Sequence, residues 1–147
     1  MALQSSNTDL YKKSIDYLLK TGKAYYCFES KEDALIHRKN TGSYFYSGKW
    51  RAAKKSDVDV ELEKKTSYTI RFYNANIGHT TFKDLIYGKI SYKNSELDDF
   101  IIVRNDGSPV YNLSNVIDDK HMKISHVIRG EDHIANTPKQ ILLYEAL

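Results

Sequence analysis

The segment around Arg129 carries the side chains best suited to binding an anion. Arg129 ends the apolar run ISHVIR, and Glu131 and Asp132 follow within three positions. A planar guanidinium can donate two parallel hydrogen bonds to one carboxylate or phosphate. Open α/β sheets bind ligands at the carboxyl ends of their strands, so a strand ending at Arg129 would present it at such a site. The alternative is a surface arginine paired with Glu131 or Asp132. Spacing alone favours this alternative.

Pairs of adjacent carboxylates suggest a second chemistry. The pairs are Asp98–Asp99, Asp118–Asp119 and Glu131–Asp132. Such oxygens can hold Mg²⁺, which makes a metal-dependent nuclease one alternative function. Nothing besides the carboxylates supports this alternative, and we do not expect it.

A short basic segment surrounds Trp50. Its cations are Lys49, Arg51, Lys54 and Lys55. Cations bind phosphates, and an aromatic ring stacks on an exposed base or ribose, so a nucleic-acid interface is the functional interpretation. A solvated lysine face, with Trp50 packed against residues 44–46, is the alternative.

The elements that must position these residues follow from periodicity and capping. An apolar stripe predicts a helix over residues 7–21, and the aromatic run at 24–28 predicts a strand. Ser30 and Asp33 form a capping-box pattern for a helix to about Lys39. Residues 56–65 fit either a strand or a helix capped at Ser56, and we favour the helix. Four strands are then predicted, in SYTIRFY, HTTFKDL, GKISYK and DDFIIVR.

Residues 105–147 begin with the turn signal at residues 105–107. Pro109 is predicted to start an extended segment, PVYNLSNVI, and ISHVIR is predicted to be a buried strand of a parallel sheet. Asn136 or Thr137, followed by Pro138, predicts a helix start. That helix reaches the last residue without a stop signal, so we expect a truncated domain.

Composition sets the broad class. The chain has 147 residues, of which 41% are hydrophobic and 28% charged, as in globular proteins of one domain or a domain plus a fragment. Its net charge of +3 is too balanced to indicate nucleic-acid binding by itself. The single cysteine, Cys27, excludes an internal disulfide and fits a reducing compartment. No apolar run is long enough for a membrane span.

Together the motifs resemble a known family. DDFIIVRNDGSPVYNLSNVIDD, followed by ISHVIRGEDHIANTPKQILLYEAL, resembles the second half of the nucleotide-binding fold of bacterial-type glutamyl-tRNA synthetases. The pieces YSGKWR, YTIRFY and DLIYGKISYKN occur upstream in the family's order. The resemblance implies an α/β fold, in which an α+β insertion that binds the tRNA acceptor end is flanked by pieces of a Rossmann-type class I synthetase catalytic domain. Residues 1–24 would end its first half, 25–108 would be the insertion, and 109–147 would begin the second half, truncated.

The resemblance also implies roles for individual residues. Arg129 matches the arginine that pairs with the glutamate carboxylate, and Glu131 and Asp132 match positions near the ATP site. The glutamate pocket would further include Tyr111, Asn112, Leu113, Ser114 and Asn115. The acceptor end of the tRNA would meet Arg104, Lys49, Trp50 and Arg51.

Three family features are absent from this sequence. Some relatives bind zinc with several cysteines, but Cys27 stands alone and the histidines lack ligand spacing, so we predict no zinc. The sequence also lacks the His-Ile-Gly-His-type and Lys-Met-Ser-Lys-Ser-type segments that handle the phosphates of ATP. No complete catalytic set is therefore expected, and we predict that the fragment alone is inactive.

The expected function is part of a glutamate–tRNA ligase, which uses ATP with Mg²⁺ to join L-glutamate to tRNA(Glu). The alternatives are a glutamyl-Q tRNA synthetase-like enzyme that glutamylates a tRNA base, and a non-catalytic RNA-binding module. We expect a monomer in the bacterial cytoplasm without a membrane partner, and a plastid or similar organelle is the alternative location.

Overall fold

The computed structural model describes residues 7–147. The first six residues of the predicted segment 1–24 lie outside that part. The helices are α1 (Thr8–Lys20), α2 (Lys31–Thr41), α3 (Lys55–Glu63), α4 (Tyr111–Met122) and α5 (Thr137–Ala146). The strands are β1 (Ala24–Cys27), β2 (Thr69–Phe72), β3 (His79–Asp84), β4 (Gly88–Lys93) and β5 (Ile101–Val103). Across residues 7–147, no helix has both the length and the apolar character needed to cross a membrane.

The five strands form two antiparallel sheets. β2 is the central strand of the first sheet, with β1 on one side and β5 on the other. Ala24 is aligned with Phe72, and Ile70 with Val103. β3 and β4 form a separate hairpin, in which His79 pairs with Lys93.

One hydrophobic core joins all three predicted segments. It contains Leu18 from α1, Ile102 from β5, Leu113 from α4 and Leu143 from α5, all with no exposed surface. Burying a leucine or isoleucine side chain contributes about 1.5–3 kcal/mol, so these contacts hold α4 and α5 against the sheet.

The first three elements confirm the sequence predictions. α1 and β1 lie where the apolar patterns indicated. At the start of α2, the Asp33 amide donates to Ser30 Oγ at 3.0 Å, and the Ser30 amide donates to Asp33 Oδ2 at 3.2 Å. This reciprocal pair is the predicted capping box.

Residues 55–63 form helix α3, so the helix interpretation of this ambiguous segment is confirmed. The predicted cap at Ser56 is wrong. The N-cap residue is Lys54, which makes no side-chain capping bond, and Ser56 already lies in the first turn.

The four predicted strands and the turn at residues 105–107 are also confirmed. The Gly107 amide donates to the Arg104 carbonyl at 3.0 Å, and Gly107 has a φ of 81°, which glycine adopts without strain. Helix α5 begins after Asn136 with Pro138 in its first turn, as predicted.

The prediction of an extended segment from Pro109 is wrong beyond Val110. Pro109 makes one bridge to Val103, and Tyr111 then begins α4. Leu113, Val116 and Ile117 recur at helical spacing and are buried. Burial of this stripe outweighs the weak helix propensity of the Val and Asn residues around it.

The prediction of a buried strand over ISHVIR is also wrong. Residues 124–129 have no regular secondary structure, and Ile128 is 99% exposed. A parallel strand needs a hydrogen-bonding neighbour, and none of the strands within residues 7–147 pairs with this segment. Arg129 therefore does not lie at the end of a sheet strand here.

Candidate functional site

Tyr111 and Asn115 lie one turn apart on α4, rather than on an extended segment as the sequence suggested. Tyr111 is at the start of the helix and is half exposed. Asn115 is partly buried, and its amide donates to Asp119 Oδ2 at 3.2 Å. Helical spacing places residues 111, 115 and 119 along one face.

The side chains of Leu113 and Ser114 point into the protein. Leu113 has no exposed surface, and Ser114 is 1% exposed with its hydroxyl donating to the Tyr111 carbonyl at 3.1 Å. Their backbone amides donate to the Val110 carbonyl as part of the first turn. Of the residues 112–114 predicted for the pocket, Asn112 has its side chain in a polar environment.

Arg129 lies beside the polar face of α5. One guanidinium nitrogen donates to Gln140 Oε1 at 2.8 Å, and another lies 3.4 Å from Thr137 Oγ1. None of the ion pairs among residues 7–147 includes Arg129. The alternative of a surface pair with Glu131 or Asp132 is therefore not realised.

Gln140 belongs to the site, although the sequence reasoning missed it. Its side chain is 4% exposed, and its Nε2 donates to Asn112 Oδ1 at 3.1 Å. Gln140 thus links two predicted pocket residues, Arg129 and Asn112. The available signal was a polar residue three positions before Leu143, on the buried face of an otherwise apolar helix.

Two further carboxylates, Asp118 and Asp119, lie beside a cavity next to α4 whose lining does not include Arg129, Asn112 or Gln140. Asp118 accepts hydrogen bonds from Asn7 at 2.9 Å and from the Tyr11 hydroxyl at 2.8 Å. Burial raises the pKa of Asp119 above its ordinary value; the charge of Arg129 opposes the rise, and Asp118 adds to it. A cavity of about 280 Å³ lies here, lined by Asn7, Tyr111, Ser114, Asn115, Asp118, Asp119 and Met122.

Glu131 and Asp132 are exposed in a short 3₁₀ turn after Gly130. Asp132 lies 3.4 Å from the His133 ring. The charge of Glu131 raises the pKa of Tyr87, at the end of the β3–β4 hairpin. The two predicted ATP-site carboxylates therefore face solvent, with Glu131 near the hairpin.

The predicted tRNA-contacting loop is partly engaged by the protein itself. Lys49 is exposed. Trp50 is partly buried, with its ring 4.8 Å from that of Phe28 in an edge-on arrangement. Arg51 pairs with Asp99 at 3.5 Å and lies over the Tyr73 ring at 4.4 Å. Of the two cations in this loop, Lys49 is therefore more accessible than Arg51.

Asp98 and Asp99 belong to a network of charged and aromatic side chains around the sheet. Arg71 lies 3.7 Å from Asp98, and the Tyr25 hydroxyl donates to Asp99 at 2.6 Å. Burial, together with the bond to Asp99, raises the pKa of Tyr25 far above its ordinary value. These carboxylates are occupied by protein donors, which argues against the nuclease alternative.

Arg104 is exposed, but its guanidinium is anchored to its own turn. It donates to Ser108 Oγ at 3.2 Å and to the Pro109 carbonyl at 3.0 Å. Both bonds use one guanidinium nitrogen, so the other donors of this exposed side chain are left for a phosphate contact.

Metal-ligand geometry is not found in the part of the chain that the structure describes. No group of three or more His, Cys, Asp or Glu residues there could hold an ion. Cys27 is buried and free.

Comparison with known proteins gives the family. All 147 residues match the family described as tRNA synthetases class I (E and Q), catalytic domain. The chain belongs to this family. A glutamate–tRNA ligase from a Hydrogenobaculum species is 49% identical over 98% of the chain, and one from Citrifermentans bemidjiense is 46% identical over the same share. The chain spans about a third of these relatives, 32% and 31% of their lengths.

Solved structures agree on the fold. The crystal structure of a glutamate tRNA ligase from Elizabethkingia meningosepticum, in complex with its amino acid, superposes with a TM-score of 0.88 at 36% identity. The match covers 97% of this chain and 31% of that one. The mixed helices and strands described above are therefore part of a class I synthetase catalytic-domain fold.

Proposed function

We propose that this chain is the central segment of a glutamate–tRNA ligase and carries part of its glutamate pocket. The proposal rests on the hydrogen-bond partners of Arg129 and on its lack of an ion pair within the described residues. Its guanidinium is held by Gln140 and Thr137, which are neutral, and no carboxylate among residues 7–147 pairs with it. A fixed guanidinium without an ion-pair partner in this part of the chain, whose charge reaches Asp119 only as a weaker electrostatic effect, suits the side-chain carboxylate of a substrate.

The remaining pocket residues would orient the substrate. Tyr111 and Asn115 border the cavity on α4, and Asn112 is connected to Arg129 through Gln140. The backbone at Leu113 and Ser114 would form the wall behind them. Each polar group would fix one part of a small ligand, as the few polar groups of a ligand pocket usually do.

Glu131 and Asp132 would lie on the ATP side of the site. Both are exposed carboxylates that can accept hydrogen bonds from ribose hydroxyls or hold water bound to Mg²⁺. ATP would supply the adenylyl group: the α-carboxylate of glutamate would attack the α-phosphate, and pyrophosphate would leave. The residues of this chain would bind and orient glutamate for that step.

Residues 25–108 would bind the acceptor end of tRNA(Glu). Lys49 and the remaining donors of Arg104 would contact phosphates, while Trp50 and Arg51 would fix the shape of the loop that carries Lys49. The relatives reported above are bacterial glutamate–tRNA ligases, which supports a full bacterial synthetase over the shortened base-glutamylating enzyme, a plastid protein or an isolated RNA-binding module.

The test replaces Arg129 in a full-length enzyme. The Hydrogenobaculum ligase would carry this chain in place of its matching third, and charging of tRNA with labelled glutamate would be measured. Arg129→Ala should raise the KM for glutamate about 30-fold or more, because losing one partner of a charge pair costs about 2–5 kcal/mol. The KM for ATP should stay nearly constant.

A matched control removes an arginine outside the site. Arg38 is exposed and stacks over the Tyr44 ring at 3.7 Å, so Arg38→Ala should leave the KM for glutamate unchanged. Equal glutamate kinetics in the Arg129→Ala and parent grafts would remove Arg129 from the pocket.

A further inference from the structure

We propose that Gln140 is a positioning residue that orients Arg129 for an anionic substrate without neutralising it. This inference rests on the proposed function, because it takes Arg129 as the group that binds the glutamate side chain. Gln140 would therefore contribute to the preference for glutamate while touching no substrate atom itself.

Both ends of the Gln140 amide are used. Its oxygen accepts from Arg129 at 2.8 Å, and its nitrogen donates to Asn112 at 3.1 Å. An amide is the side-chain group that offers a strong acceptor and a strong donor without a net charge. The bridge therefore fixes Arg129 and Asn112 relative to each other, although 17 positions separate them in the sequence.

Packing holds Gln140 itself in place. Its side chain is 4% exposed on α5, with Leu143 completely buried one turn later on the same helix. α5 packs against α4, which carries Asn112. A buried side chain with both polar ends satisfied has few alternative rotamers, and a catalytic or binding group gains precision from such support.

The neutrality of the amide is the chemical point. A glutamate at position 140 would have nearly the same shape, but its carboxylate would form an ion pair with Arg129. That pair would cancel the charge available to a substrate carboxylate and would compete with it for the same donors. A neutral acceptor keeps the guanidinium oriented and still positive.

The test compares two substitutions in the grafted Hydrogenobaculum ligase. Gln140→Glu should raise the KM for glutamate about tenfold to a hundredfold, the range set by one charge-assisted hydrogen bond. Gln140→Leu replaces the amide with an apolar side chain of similar size, frees Arg129 from its acceptor, and should raise the same KM about tenfold. The KM for ATP should change less than about twofold in both; a general loss of folding would instead lower the apparent kcat and leave the KM for glutamate unchanged.

Asn136→Asp is the matched control. It makes the same amide-to-acid change one turn earlier, where the amide contacts His133 at 3.4 Å, and it should leave the KM for glutamate unchanged. If Arg129→Ala weakens glutamate binding while both Gln140 variants behave as the parent, the positioning role is refuted and the proposed function stands. If Arg129→Ala also has no effect, the proposed function itself has failed.

A second measurement decides the geometry on the 147-residue chain. In a side-chain NMR spectrum, Gln140→Leu should shift the guanidinium signal of Arg129 and the amide signal of Asn112, and Asn136→Asp should shift neither. Unshifted Arg129 and Asn112 signals in a folded Gln140→Leu chain would overturn the proposal, whether or not the graft charges tRNA.

Discussion

Two arginine-containing regions of this molecule differ in what surrounds the guanidinium. Beside the sheet, Arg51 and Arg71 are paired with Asp99 and Asp98. Beside α5, Arg129 contacts the neutral side chains of Gln140 and Thr137. The first region is internally compensated, whereas the second retains a positive charge.

The difference separates a structural use of arginine from a binding use. A compensated cluster stabilises the chain that surrounds it, and removing one partner leaves a buried charge behind. An uncompensated arginine contributes little to folding, and its interaction energy remains available for a ligand. We therefore expect substitutions in the first region to affect stability and substitutions in the second to affect substrate binding.

The largest effect is expected at Asp99, which is 4% exposed. Asp99→Ala removes the partner of Arg51 and the acceptor for the Tyr25 hydroxyl and the Asn74 amide. The free energy of unfolding should fall by about 3–5 kcal/mol, measured by urea denaturation. Asp59→Ala, on the exposed side of α3, should change it by less than about 0.5 kcal/mol. Equal stability of the two variants would mean that the ion pairs beside the sheet do not stabilise the fold.

A smaller loss of stability should distinguish the paired Arg71 from Arg129, which has no ion-pair partner among residues 7–147. Arg71→Met leaves Asp98 and the Asp99 carbonyl without their cation and should cost about 2–4 kcal/mol. Arg129→Met loses hydrogen bonds to neutral partners and should cost about 1 kcal/mol. Parallel urea denaturation of both variants tests the order. A larger loss at Arg129 would mean that its contacts mainly support the fold.

The smallest effect concerns the pH dependence of Asp119. Its pKa in the folded chain is raised above the ordinary 3.8, mainly by burial. As pH rises from below 3.8 through the folded pKa, the unfolded chain loses this proton first, so ionisation of Asp119 lowers stability over that range. Asp119→Asn removes the loss and should raise neutral-pH stability by less than about 1 kcal/mol, because the side chain is only partly buried and solvent screens its charge.

Urea denaturation at a series of pH values measures this difference. The stability of Asp119→Asn relative to the parent should increase between acidic and neutral pH and then remain constant. A difference that decreases over the same range would mean that Asp119 is stabilised as a carboxylate, with Arg129 as the dominant neighbour.

Much of the fold was accessible from the sequence because its signals are local. The Ser30–Asp33 capping box, the turn at residues 105–107 and Pro138 at the start of α5 each act within a few residues. The apolar stripe of α1 and the alternation in the strands likewise record which face is buried. The resemblance of the C-terminal motifs also identified the family that the comparisons established.

Tertiary contacts decided the rest. Residues 111–122 form a helix because Leu113, Val116 and Ile117 pack into the core. Residues 124–129 form no strand because no strand among residues 7–147 pairs with them. The bridge from Asn112 through Gln140 to Arg129 joins residues that no local pattern connects. A sequence determines which residues can form caps, turns and apolar faces, whereas a polar side chain acquires its partner only when separate elements pack together.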